Sequence, residues 1–157
     1  MEKDRLDSEK KQKFDLEERL ISFSVRVLNI VEALPETRVG NHIAGQLVRC
    51  GTSPASNYAE AQSGESRCDF IHKMKIALKE LRETRIWLLI IQRKSLISPT
   101  KKLDAILIEC GELNSIFFKS IETAQRNNKN RGSNFSCSSL GCWILSVGYW
   151  ILYEIQT

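Results

Sequence analysis

Lys75, Lys79 and Arg82, with Arg93 farther along, are the residues whose type and spacing most readily suggest chemistry. At about 100° per residue they fall on one stripe of a helix. Cations so aligned can neutralise successive phosphates and release their counterions, so any binding would weaken steeply with salt. Arg67 precedes them in the same basic segment, residues 66–94, where eight lysines and arginines stand against three carboxylates. The whole chain carries a formal charge of only +4, so the excess is local. A solvated helix face produces the same pattern, and both readings stay open.

Other chemistry finds little support. Zinc-finger, RNP1 and GXXG signatures are absent, so binding would be led by shape and charge rather than by base reading. Asp69 and His72 have the spacing of one Glu-x-x-His-type pair, but it occurs once and His42 stands apart, which argues against a di-metal bundle. The sequence has no G-x-S-x-G elbow, P-loop or dinucleotide-binding glycine pattern. No catalytic residue, metal ligand or cofactor site is expected. The five cysteines, Cys50, Cys68, Cys110, Cys137 and Cys142, are odd in number and lack a C-x-x-C pair, which speaks against a disulfide framework. The charged N-terminus has no apolar secretion signal, and a cytoplasmic location is expected.

The elements that would position the basic stripe are helices. Residues 1–14 read as a charged arm. Asp15 and Glu18 suggest a capping box opening a first helix, along which Leu16, Leu20, Phe23, Val27, Ile30, Val31 and Leu34 recur at helical spacing until Pro35. A second helix should start near Thr37, with a kink or short break between residues 50 and 54, where Gly51-Thr52-Ser53-Pro54 interrupts it. Ser66 to Asp69 suggests a capping box for a third helix reaching about Arg93. Its core stripe would hold Phe70, Met74, Ala77, Leu78, Leu81 and Leu88, with a mixed far side of Ile76, Glu80, Trp87 and Ile91 hinting at subunit contact. Ser98-Pro99 should cap a fourth helix, with Leu103, Ile106, Leu107, Cys110, Leu113, Phe117 and Ile121 inward and an end near Arg126.

The pattern predicts an all-α, up-down-up-down four-helix bundle over residues 15–126 with a non-bundle C-terminal tail. Residues 127–157 hold a polar linker and an apolar near-repeat, GCWILSV followed by GYWILYE. Its uncharged stretch is short for a membrane span, so membrane association is not the favoured reading.

Four polar residues are expected to serve structure. Arg85 falls within the apolar stripe of the third helix and would need a partner such as Glu60 or Glu83. With Arg49 and Glu60 it would hold the second helix against the third; a ligand site including Glu60, Glu80 and Glu83 is the alternative. Asn57, beside Tyr58, could frame a pore or a subunit contact, or pack within the monomer.

The run from Gln46 to Gln62, QLVRCGTSPASNYAEAQ, resembles the signature of the 23S ribosomal RNA intervening-sequence proteins. So do Glu65-Ser66-Arg67, the run from Asp69 to Glu80 and the run from Leu81 to Leu88. The resemblance covers about residues 14–126 and excludes the tail. It implies a four-helix bundle that assembles into a homopentamer, in bacterial proteins encoded within ribosomal RNA gene insertions or standing free. Members are similar to the accessory protein of diversity-generating retroelements, which works with a reverse transcriptase and nucleic acid. The resemblance implies no defined enzymatic activity. Structured RNA is the expected partner, and a protein scaffold or reverse-transcriptase accessory role is the alternative.

Overall fold

The computed structural model describes residues 16–130, which form four α-helices: α1 (Leu16–Glu32), α2 (Arg38–Gln62), α3 (Arg67–Lys94) and α4 (Asp104–Asn130). The expected helical architecture is observed, with no strand among the described residues. The charged arm, the Asp15 cap and the apolar near-repeat lie outside the described residues.

Contacts between helices fix the arrangement. Arg19 reaches Glu112 and Glu109, and Arg26 also binds Glu109, so α1 and α4 run antiparallel. Arg49 faces Glu83, and Glu60 pairs with Lys73, which makes α2 and α3 antiparallel. Cys110 Sγ donates to Leu81 O at 3.3 Å, and Gln92 Nε2 donates to Asp104 Oδ1 at 2.7 Å, so α4 also opposes α3. α1 and α3 each touch α2 and α4 but not each other, and therefore occupy diagonal corners. The four inward stripes meet in one core whose largest fully buried side chains include Phe23, Leu47, Leu81, Leu88, Leu113 and Phe117.

Local signals explain most of the boundaries. Thr37 caps α2 by accepting from Gly40 N at 3.0 Å. Ser66 Oγ accepts from Asp69 N at 3.1 Å at the start of α3, and its hydroxyl donates to the Asp69 carboxylate. α3 ends at Ser95, whose left-handed backbone at φ 51° lets the last turn close on Gln92 O and Ile91 O.

Three local expectations are corrected. Of the kink or short break expected between residues 50 and 54, the break does not occur: α2 is continuous through Pro54. The proline removes one backbone donor, but Cys50, Gly51 and Pro54 are all buried, and that packing outweighs one missing hydrogen bond. Ser98-Pro99 does not open an α-helix directly: a 3₁₀ turn, Thr100–Leu103, precedes α4, and Pro99 offers no side-chain cap. At the other end α4 continues past Arg126 to Asn130. A basic residue in its closing turns, paired with Glu122 at 3.4 Å, favours this extension.

Candidate nucleic-acid interface

α3 is the diagonal helix that presents the basic stripe. Its buried arc comprises Ile71, Met74, Ala77, Leu78, Leu81, Thr84, Leu88 and Ile91. Lys75, Lys79, Arg82 and Arg93 project from the opposite side, and all four are exposed. None of them makes an ion pair among the described residues, so their charge is not neutralised in the fold. Cys68, His72, Ile86 and Ile90 share this side, and Glu83, which faces Arg49 of α2, lies at its edge. Exposed cations on a rigid, packed helix can meet the phosphates of a polyanion without breaking an ion pair of the fold.

Arg67 is also exposed, but it does not join the stripe. It lines an open groove of about 770 Å³ between the α2–α3 turn and the second half of α4, with Phe70, Lys119 and Ala124.

The polar residues expected to join α2 to α3 divide. Arg49 Nη2 lies 3.7 Å from Glu83 Oε1 and 2.7 Å from Gln46 Oε1. Glu60 pairs with Lys73, and both contacts cross the α2–α3 boundary. Asn57 bonds within its own helix, donating to Ser53 O and Ser53 Oγ at 3.0 and 2.9 Å, while neighbouring Tyr58 meets Phe117 edge-on at 6.0 Å. Arg85 departs from expectation. It is exposed and makes no ion pair with Glu60 or Glu83, because Thr84 takes the core position beside it. Thr84 tolerates full burial by donating to Glu80 O at 2.9 Å.

The mixed far side of α3 is likewise corrected. It packs against α2 rather than awaiting another subunit: Ile91 is fully buried, and Trp87 meets His42 edge-on at 6.0 Å while donating to Glu83 at 3.4 Å. Burial raises the Glu80 carboxyl above its ordinary range, reinforced by Glu83 and opposed by Lys79 and Arg49. Of the three carboxylates in the alternative ligand site, Glu83 faces Arg49 and Glu60 pairs with Lys73. No group of three or more metal-ligating side chains occurs among the described residues. No helix among them is long and apolar enough to cross a membrane.

Sequence reasoning missed the cluster of Arg19, Arg26, Glu109 and Glu112. Burial would raise the Glu109 carboxyl, but hydrogen bonds and charge from Arg26 and Arg19 hold it below its usual range. The Arg19 guanidinium is pushed up by Glu112 and Glu109 against the opposing effect of burial. The available signal was one of phase: Arg19 and Arg26 lie two turns apart on one flank of α1, and Glu109 and Glu112 one turn apart on α4.

The family model for 23S rRNA-intervening sequence proteins matches residues 12–119, most of the chain and all of α1, α2 and α3. The chain belongs to that family. A solved member-like structure, a protein of unknown function from the S23 ribosomal protein family of Bacteroides thetaiotaomicron, is 32% identical and superposes with a TM-score of 0.63. The match covers 68% of this chain and 98% of that one. No protein with a curated description matches. For this intervening-sequence protein the match takes in the whole basic stripe of α3 and stops within α4, before the apolar near-repeat.

Proposed function

We propose that this intervening-sequence protein is a non-enzymatic, cytoplasmic RNA-binding protein that works as a homo-oligomer. The basic face of α3 carries the binding, led by Lys75 and Lys79, with Arg82 and Arg93 beyond them and Arg67 at the neighbouring groove. The observation that carries the reading is a row of exposed cations on one side of a packed helix, none of them in an ion pair among the described residues. The family description, which links these proteins to ribosomal RNA, makes structured RNA the favoured polyanion. Contacts of this kind recognise the spacing of phosphates along a folded strand, not its bases. A pentamer, as the family resemblance implies, would repeat the face around a ring and multiply its avidity.

The test is filter retention of a structured ribosomal RNA hairpin across a salt series. Charge reversal at Lys75 and Lys79 is expected to weaken binding and to lower the salt slope by about one per phosphate contact removed. Absence of binding at low salt, or unchanged affinity after reversal, overturns the proposal.

Exposed Ile86 and Ile90, set between Arg82 and Arg93, favour a second reading as a protein scaffold or accessory subunit for a partner such as a reverse transcriptase. Phosphate contacts have no use for isoleucine. A nuclease-insensitive pull-down of one defined partner from the native host supports this reading.

A further inference from the structure

Phe118 is a large aromatic side chain left 54% exposed on α4. Single apolar residues on a surface are ordinary, so its surroundings decide what it can do. At about 100° per residue Phe118 lies half a turn of the wheel from Glu109, which binds α1, and therefore on the flank of α4 turned toward α3. Ser115 and Gly111, one and two turns earlier, share this flank within about 60°. A helical side chain leans toward the N-terminus of its helix, so the ring leans over these two small residues. A Cβ at Gly111 would meet nothing within 4 Å, and the Ser115 hydroxyl donates to Gly111 O at 3.0 Å. The space beside the ring is open, and Phe118 ends a shallow shelf that begins at Gly111.

The shelf stands level with the cations of α3. Cys110 on Leu81 O and Asp104 on Gln92 set the register of these two antiparallel helices. Counting from either link puts Phe118 level with about residues 73–78, the stretch that holds Lys75, and Gly111 level with about residues 80–85. On α3, Arg82 and Lys75 lie on the side away from Glu83 and Trp87, which meet α2, and so border α4. Each carboxylate of α4 already has a partner: Asp104 accepts from Gln92, Glu109 and Glu112 bind α1, and Glu122 pairs with Arg126. An exposed aromatic ring thus stands beside exposed cations that make no ion pair among the described residues.

Cations alone hold a nucleic-acid backbone, whereas an aromatic face beside them can hold a base. Such stacking needs a nucleotide that is out of the helical stack, and it accepts any base because every base has a π-face. We infer that Phe118 is the platform on which an unpaired RNA base stacks, while Lys75, Lys79 and Arg82 hold the flanking phosphates. The inference rests on the RNA reading above and narrows it. The preferred ligand is a structured RNA with a bulged or looped-out nucleotide at the α3–α4 seam, not a continuous duplex, and the nucleotide is selected for being unpaired and not for its identity.

Two probes test this with full-length protein: a continuous RNA duplex, and the same duplex carrying a bulge of unpaired uridines. The parent chain is expected to bind the bulged RNA about tenfold more tightly, the scale of one base–aromatic stack. Phe118→Ala should abolish that preference and leave duplex affinity unchanged. Phe118→Leu, which keeps apolar bulk without a π-face, should lose it too, and Phe118→Trp should keep it. Lys75→Glu/Lys79→Glu should weaken binding of both probes. A parent chain without the preference, or a preference that survives Phe118→Ala or Phe118→Leu, overturns the platform and leaves the RNA reading standing. Failure of the parent to bind either probe at low salt removes both. Sedimentation velocity covers the other possible occupant, a second copy: a parent oligomer that Phe118→Ala takes apart would make Phe118 a subunit contact and overturn the platform.

Discussion

Gly51 on α2 sits directly against Val27 on α1: a Cβ at Gly51 would stand 2.5 Å from Val27 Cγ1. Valine is stiff about χ1 and cannot swing aside, so the two helices approach this closely only because the side chain is absent. Ser24 marks the same crossing, its hydroxyl lying 3.1 Å from Gly51 O.

Gly51→Ala therefore sets two effects in opposition. Alanine favours a helix interior over glycine by about 1 kcal/mol, while overpacking a close crossing costs about 1–3 kcal/mol. Steric conflict should win, with net destabilisation of about 1 kcal/mol in urea unfolding. Adding Val27→Ala should make the pair less than additive, because each change relieves part of the other's effect. A stabilised Gly51→Ala variant would show that α1 shifts freely at this point.

Glu109 predicts an acid-side loss of stability. Its folded pKa is held below the unfolded value of about 4.3, so its stabilisation is present above that pH and is lost as pH falls through the lower folded value. Glu109→Gln should cost about 1 kcal/mol at pH 7, a figure kept small because Arg26 is substantially exposed. The difference between parent and variant should shrink steadily below pH 4 in urea titrations. A constant difference across pH would mean that packing, and not charge, accounts for the loss.

How much of this was legible in the sequence follows from which interactions are periodic. Leu16, Leu20, Phe23 and Val27 announce a buried stripe because helical spacing fixes their direction, and the phase of Lys75, Lys79 and Arg82 places them outside by the same rule. Arg85 falls within the apolar stripe by its angle alone, whereas the structure buries Thr84 beside it and leaves Arg85 exposed. A helical wheel cannot see that a threonine hydroxyl is satisfied by its own backbone four residues earlier. Pro54 suggests a kink or a short break because the cost of a lost donor is local, whereas the packing that keeps the helix continuous involves α1 and the core. Arg19 and Glu109 are far apart in the chain, and which helices become neighbours is a property of the bundle. The outer stripe of α1 was visible as residues, yet only the structure shows that Ile21, Val25 and Leu28 are left uncovered in the monomer.

Glu80 should behave in the opposite sense to Glu109. Burial, with Glu83 nearby, raises its folded pKa above the unfolded value, so ionisation costs the native state stability. That cost is fully present above the folded pKa and vanishes below about pH 4, where both states are protonated. Glu80→Gln should stabilise the protein by about 0.5 kcal/mol at pH 7, allowing for a half-exposed site, and by nothing at low pH. Destabilisation at pH 7 would show that Lys79 and Arg49 outweigh burial.

The cysteines report how tightly the centre of the bundle is closed. Cys50 and Cys110 are both fully buried, and burial pushes their thiols up to about 11 and about 12 respectively. Thiolate, not thiol, attacks a disulfide reagent, so each is protected twice, by exclusion and by protonation. In a Cys137→Ser/Cys142→Ser background, partly exposed Cys68 should react with an aromatic disulfide first, and Cys50 and Cys110 at least about a thousandfold more slowly. Their reaction must then wait for the helices to part, so Gly51→Ala, which weakens the α1–α2 crossing beside Cys50, should accelerate Cys50. Cys110 hydrogen-bonds to Leu81 O between α3 and α4, away from that crossing, and should accelerate only as far as the whole bundle is destabilised. Equal acceleration of both thiols would mean that the bundle opens as one cooperative unit; selective acceleration of Cys50 would locate the weaker seam between α1 and α2.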